Sequence, residues 1–292
     1  MVSEDLVAKV VEETYKKALL NLPEDVHNAL KNAWEKETNP LAKKTLGILL
    51  ENIRIAKEKS MTICQDTGVP EFLIKMGLKF RFEGDFEKAI KDGIRNLTKT
   101  KNFPLVPLVV HPLTRENTLD NTGEKVPILH YSTIPNADYV ELTATVAPAA
   151  PQTFSNIRMY PAGTPLNEIK NFVYETLANI SGAVCPPLIV GIGIGGLFGN
   201  VTRLAREASL RPLNVRNPDP EIAKLEDELL KNINRLGIGH MALGGDTTVL
   251  AVNIEVGYTH IPCLPVAVQL QCWACRRATV RIYPDGRVEE VV

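Results

Sequence analysis

Apolar residues recur at helical spacing through the first fifth of the chain. Leu6, Val7, Val10, Val11, Ala18 and Leu19 form one stripe, and Ser3 stands where a cap accepts a backbone N–H. Leu22-Pro23-Glu24-Asp25 opens a second helix that runs through Trp34. Asn39-Pro40 then sets a capping residue before proline at a first helical position. Leu46, Leu49, Leu50 and Ile53 stripe a third helix over 41–57. Next comes a strand expected over 72–82, in which Phe80 and Phe82 alternate with charges. Phe86, Ala89, Ile90 and Ile94 return to helical spacing over 85–99. Residues 105–110 are apolar, but Pro104, Pro107 and Pro112 restrict them to an edge strand or an extended segment. Residues 114–125 are polar, with a turn at Asn121-Thr122-Gly123. Strands are expected over 126–133 and 139–147, joined across Pro135-Asn136.

The second half begins with Pro148-Ala149-Ala150-Pro151, which reads as a loop. A helix over 165–180, a buried strand over 187–192, a glycine cluster and a helix over 197–210 follow. A proline-containing connector over 212–220 leads to a charged helix over 221–235 that stops at Gly237. Strands are expected over 247–256, 264–272, 279–283 and 288–291, the last two joined across Pro284-Asp285-Gly286. The fold class is α/β tending to α+β: N-terminal helices, then mixed sheets with packed helices, with the candidate site residues at loop ends. There is no internal repeat. At 292 residues the chain can bury a large core in two packed halves, with a boundary expected near 100–104.

Composition narrows the function classes. Apolar residues make up 45% and charged residues 23%, and the formal net charge is −1. That balance gives nucleic acid or an anionic membrane surface no purchase as a partner. No apolar run approaches the ~20 residues of a membrane span, and the longest, 186–198, is cut by glycines. The start of the chain is acidic and lacks the apolar core of a signal peptide. The five cysteines, Cys64, Cys185, Cys263, Cys272 and Cys275, are odd in number. The expectation is a reducing, cytoplasmic setting with thiols serving as metal ligands or nucleophiles.

The candidate chemistry starts at Thr62-Ile63-Cys64-Gln65-Asp66-Thr67-Gly68. It sets a thiol, an amide, a carboxylate and a hydroxyl side by side between a helix and a strand. Cys185 precedes two prolines at the foot of a buried strand, and Cys272 follows an apolar one. Thiolates suit iron–sulfur clusters or zinc, whereas on number alone the cysteines read as ordinary small buried residues. Cys272-Trp273-Ala274-Cys275 also has the spacing of half a zinc site, with Cys263 and His260 as the nearest further donors, or of a redox pair. The strand-like continuation over 276–280 speaks against the redox pair. Gly191-Ile192-Gly193-Ile194-Gly195-Gly196 satisfies the dinucleotide-binding pattern, but no second strand ending in an acidic residue follows it. Close packing of strand on helix is the better account. His27 reads as solvent-facing, His111 and His130 as structural, and His240 takes no role. His260 can bind a carboxylate or shuttle a proton. Arg115 can form a bidentate bond to a carboxylate, although a solvated surface position is the default for any one arginine.

Taken together, these motifs resemble the α subunit, or N-terminal domain, of the class I iron–sulfur hydro-lyases, the family of fumarate hydratase and L-tartrate dehydratase. The resemblance rests on Cys64-Gln65-Asp66-Thr67-Gly68, on Cys185-Pro186-Pro187 with the glycines after it, on Leu236-Gly237-Ile238-Gly239 with Leu243-Gly244-Gly245, and on His260 upstream of Cys272. It implies a 4Fe–4S cluster on Cys64, Cys185 and Cys272, with one iron open as a Lewis acid for reversible hydration of fumarate to malate. It implies substrate contacts from Gln65, Arg115 and His260, with Asp66 and His260 in catalysis. It also implies a separate β subunit carrying further groups, and an α–α dimer within a heterotetramer. The alternatives are an L-tartrate dehydratase or related dicarboxylate hydro-lyase subunit, and a non-catalytic paralogue that keeps the fold. The last is motivated by Ala147-Pro148-Ala149-Ala150-Pro151, which stands where the family has a Lys-Gly-x-Gly-Ser stretch. Its prolines remove two backbone donors that a glycine loop would offer an anion.

Overall fold

The Ser3 hydroxyl accepts the Leu6 N–H and starts α1, Glu4–Leu20. In the computed structural model, which describes residues 2–100, 103, 105–180 and 182–291, the chain continues through α2 (Glu24–Lys36), α3 (Pro40–Lys59), β1 (Val69–Gly77), α4 (Phe86–Lys99), β2 (Ile128–Ile134) and β3 (Val140–Ala147). Then come α5 (Ala149–Phe154), β4 (Asn156–Pro161), α6 (Leu166–Ala178), β5 (Leu188–Gly195), α7 (Phe198–Leu210) and α8 (Pro220–Asn234). The strands β6 (Val249–Gly257), β7 (Cys263–Gln271), β8 (Arg277–Ile282) and β9 (Val288–Val291) close the chain. Helices and two mixed sheets give the α/β mixture that the pattern predicts. The chain divides into two compact units, Met1–Pro23 with Ile53–Pro148 and Arg276–Val292, and Glu24–Asn52 with Ala149–Cys275. The boundary expected near 100–104 falls largely on residues 101, 102 and 104, which lie outside the described residues.

The first unit is a five-stranded sheet in the order β2-β1-β3-β8-β9. Only the β1–β2 pair is parallel. Alternation sorts its two faces. Phe72, Ile74, Leu142, Ala144, Val146, Val280 and Ile282 join Val7, Val11, Tyr15, Ile90 and Ile94 of the helices in one core. Most of the other positions are polar, with Leu73 among the exceptions. Lys75, Glu141 and Arg281 stand in register on adjacent strands, with ion pairs of 2.8 and 2.9 Å that pin the alignment.

The second unit carries a four-stranded sheet in the order β4-β7-β5-β6, with β5 parallel to β6 and antiparallel to β7. Leu188, Val190 and Ile192 of β5 share a core with Phe172, Val173 and Leu177 of α6 and Leu229 and Ile233 of α8. The alternate residues of β5 meet α7. A Cβ added to Gly191 would lie 2.1 Å from the Ala205 carbonyl, and one on Gly193 2.2 Å from that of Val201. The glycines are therefore the condition for α7 to lie on the strand.

Several elements depart from the sequence pattern. The strand expected over 72–82 ends at Gly77, and Phe82 keeps only an isolated bridge to Val2. Residues 105–110 form no strand; Val110 bridges Asn117 alone. The strands on either side of Pro135-Asn136 do not pair with each other, because both pair with β1. The strand expected over 187–192 runs on to Gly195, so most of the glycine cluster lies within it. The alanine–proline loop is short-lived, since Ala149 already begins α5, with Pro151 in its first turn. Strand β4 went unpredicted because it is a short edge strand ending in proline.

Gly191→Ala should lower stability by about 3 kcal/mol or more, since the added methyl meets backbone rather than a flexible side chain. Gly199→Ala, on the exposed start of α7 with nothing within 4 Å, should be neutral or stabilising. Urea midpoints of the two variants test the pair. Equal midpoints would refute the packing account of the glycines.

Candidate functional site

In the first unit the candidate residues sit in the loop between α3 and β1. Cys64 and Asp66 are half-buried and Gln65 is exposed. Besides the buried Ile63 side chain, hydrogen bonds to main-chain groups hold the loop. The Ile63 N–H donates to the Leu19 carbonyl at 3.1 Å. The Tyr15 hydroxyl donates to the Thr67 carbonyl at 3.0 Å, and Thr67 Oγ1 to that of Val106 at 3.3 Å. Arg276 Nη2 donates to the Asp66 carbonyl at 2.8 Å. The Asp66 carboxylate turns back to accept the Gly68 N–H at 2.9 Å. Gly68 has φ +66° and leaves no room for a Cβ beside Val146. Burial pushes the Tyr15 phenol up, although the Arg276 charge opposes it, so the hydroxyl stays a donor. Arg115 is exposed in a turn at φ +63°.

In the second unit Cys185 and Cys272 belong to one end of the sheet. Ile189 pairs with Gln271, so the residues preceding β5 and those following β7 are neighbours. The Trp273 N–H donates to the Cys185 carbonyl at 3.4 Å. Cys185 is half-buried at φ +54°, and Cys272 is buried. The Pro186 carbonyl accepts the Met241 N–H at 3.3 Å and bonds to His240 Nδ1 at 2.7 Å. His240, to which the sequence assigned nothing, is 3% exposed and holds the turn that carries Cys185. Gly239, Gly244 and Gly245 all adopt positive φ in the segment beside it. Glu37 fixes that segment by accepting the Asp246 N–H at 2.9 Å, and Asp246 accepts from Thr38 Oγ1 at 2.6 Å.

His260 is elsewhere. It is exposed in the loop before β7, where Thr259 Oγ1 donates to the Gly196 carbonyl at 2.7 Å. The nine residues of β7 separate that loop from Cys272, roughly 30 Å at ~3.3 Å per residue. The same separation removes the zinc site considered for Cys272 and Cys275. Cys263 begins β7 while Cys272 follows its end, so neither Cys263 nor His260 can complete a tetrahedron there. Among the described residues no three His, Cys, Asp or Glu side chains gather as they would around a single ion. The thiols of Cys64, Cys185 and Cys272 are free of disulfides. As soft donors at loop ends they have the chemistry an iron–sulfur cluster takes. No helix among the described residues is long and apolar enough to cross a membrane.

Tyr15, His240 and Arg276 are the residues the sequence did not expose. Each acts on a carbonyl far along the chain, and no local spacing signals such a bond.

A family model described as fumarate hydratase (Fumerase) matches residues 8–281. A Methanocaldococcus jannaschii protein, provisionally named L(+)-tartrate dehydratase subunit alpha, is 43% identical over 285 residues, 97% of this chain and 99% of its own length. The Escherichia coli K12 L(+)-tartrate dehydratase subunit alpha is 31% identical over 270 residues, 92% of this chain and 88% of its own. The Shigella sonnei protein of the same name matches to the same extent.

Burial, opposed by the bond to Pro186, lowers the His240 pKa from its ordinary 6.5. The unfolded chain therefore binds this proton more readily, and the stability tied to neutral His240 is complete above about pH 6.5 and lost as pH falls. His240→Asn keeps a donor for the Pro186 carbonyl but cannot titrate. Melting temperatures taken from roughly pH 7 down to 5.5 should fall more steeply for the parent than for the variant. Parallel profiles would rule out this linkage.

Proposed function

The chain belongs to the fumarate hydratase family, and on that premise we propose that it is one subunit of a hydro-lyase adding water reversibly across the double bond of a C4 dicarboxylate. The observation that carries the reading is the match over residues 8–281, which includes Cys64, Cys185, Cys272 and the loop of Gln65 and Asp66. Fumarate and malate are the first substrate pair. The names of the relatives favour a second reading, dehydration of L-tartrate.

In this reading Cys64, Cys185 and Cys272 hold a 4Fe–4S cluster. When bound, such a cluster keeps one iron free of protein ligands and supplies Lewis acidity toward the departing hydroxyl and its neighbouring carboxylate. The chain's own residues do the rest. Gln65 is exposed beside Cys64 and donates its amide N–H groups to a carboxylate. Arg115 offers the planar fork that grips a carboxylate in two places. Asp66 has its carbonyl held by Arg276 and its carboxylate held by the Gly68 N–H, so that carboxylate serves to hold or pass a proton at a fixed place.

His260 needs a different placement. A residue roughly 30 Å along a strand from Cys272 is out of reach of a substrate held at that cysteine. His260 of one copy therefore acts at the site of a second copy, which makes the α–α dimer part of the mechanism. Around it Leu197, Phe198, Tyr258 and Ile261 are exposed, an apolar surface suited to that dimer. The subunit names of the relatives support a further β subunit.

Anaerobic co-production with the partner subunit should give a brown complex with about four irons per chain that interconverts fumarate and malate, with L-tartrate assayed alongside. Serine at Cys64, Cys185 or Cys272 should abolish both colour and turnover. A colourless complex without iron, inactive on all these acids, would defeat the proposal. Copies carrying Cys272→Ser and His260→Asn should each be inactive, yet regain activity when mixed and reassembled, because one site per mixed dimer is intact. No recovery on mixing would place His260 outside the site or in its own copy's.

A further inference from the structure

Arg276 is the largest of the fully buried side chains, with no exposed surface. A guanidinium stays charged at any pH a protein survives, and removing it from water is unfavourable unless its donors are used. One donor goes to a main-chain carbonyl, that of Asp66, at 2.8 Å. Its own carbonyl accepts Thr145 Oγ1 at 2.8 Å, which fixes the arginine backbone to β3. Tyr15, also fully buried, lies close enough for its phenol to feel the charges of Arg276, Asp66 and Glu71, and it donates to the next carbonyl along, that of Thr67. Two successive carbonyls of the candidate loop are thus clamped by two buried donors, one from α1 and one from the residue just before β8.

Along the chain Arg276 stands four residues after Cys272. We infer that Arg276 is a positioning residue: it sets the Cys64-Gln65-Asp66 loop by its grip on the Asp66 carbonyl. It touches backbone rather than substrate, so it is not itself catalytic. Its catalytic consequence rests on the hydro-lyase reading above, while its structural consequence does not.

Hydrogen exchange separates the two. In the isolated chain, Arg276→Met should speed exchange of the amides at 65–68 at least tenfold, with the amides of β1 and β3 unchanged. Arg276→Lys keeps the charge and a donor and should restore most of the protection. In the assembled anaerobic complex, Arg276→Met should lower kcat about 10²-fold with KM shifted much less, and Arg276→Lys should recover within about tenfold. If Arg276→Met does not fold, Arg276→Lys and Tyr15→Phe carry the measurement, and both should loosen 65–68 measurably. Unchanged exchange at 65–68 in the variants that fold, or a Met variant indistinguishable from the Lys variant, overturns the inference. Altered exchange in a complex with no hydro-lyase activity would keep the clamp and discard the chemistry.

Discussion

Ile189 pairs with Gln271 and Ile194 with Val266 across β5 and β7. Every candidate residue of the second unit takes its place from that antiparallel register. It sets the chain before β5 beside the chain after β7, which is why Cys185 and Cys272 share an end of the sheet. It also sends the loop holding His260 to the opposite end. The register is strongly specified. Val266, Val268 and Leu270 face α6 and α8, whereas Ala267 meets α7. A slip of one residue would turn those valines onto the glycine surface where only small groups fit. The glycines of β5 thus contribute to the site without touching it: by admitting α7 they make the two faces of the sheet unlike, and unlike faces admit one register.

The first unit solves a different problem. Its candidate loop carries a half-buried cysteine and aspartate and has only Ile63 as a buried apolar anchor beside them. Buried donors anchor it as well, reaching main-chain carbonyls from Tyr15 of α1 and from Arg276, just before β8. Each such bond is worth about 1 kcal/mol net, but leaving one of these carbonyls unpaired after burial would be worse than never having formed the bond. The arrangement therefore resists partial loosening. The same logic applies to the turn at Pro186, where His240 and the Met241 N–H share one carbonyl.

Much of this was legible in the sequence. The helical stripes of α1 and α3, the Ser3 cap and the Pro220 start of α8 follow from local chemistry, and the structure has them within a few residues of expectation. The Cys64-Gln65-Asp66 stretch announced itself by putting four chemistries in a row. What stayed hidden was of two kinds. The strand was expected to stop at 192, because glycine is a poor strand former in isolation, yet it runs on through Gly193 to Gly195 with the helix packed on it. Tyr15, His240 and Arg276 were passed over because a side chain bonded to a distant carbonyl leaves no periodicity or spacing. His260 shows the converse limit. A short distance along the chain from Cys272 looks like partnership, and the strand between them shows that it is separation.

The placement of the polar residues follows a physical division of labour. Gln65, Arg115 and His260, the groups assigned to substrate, are exposed, and ordering each long side chain on binding costs about 0.5–1.5 kcal/mol. Tyr15, His240 and Arg276, the groups that hold the loops, are buried, and their ordering is settled when the chain folds. Loops held in this way have their backbone set at Asp66 and at Pro186 when the chain folds. The division also explains why the exposed set alone is a weak guide to function. Exposed amides and guanidinia are common on any surface, whereas a fully buried arginine bonded to the backbone of an acidic loop has few purposes besides holding that loop.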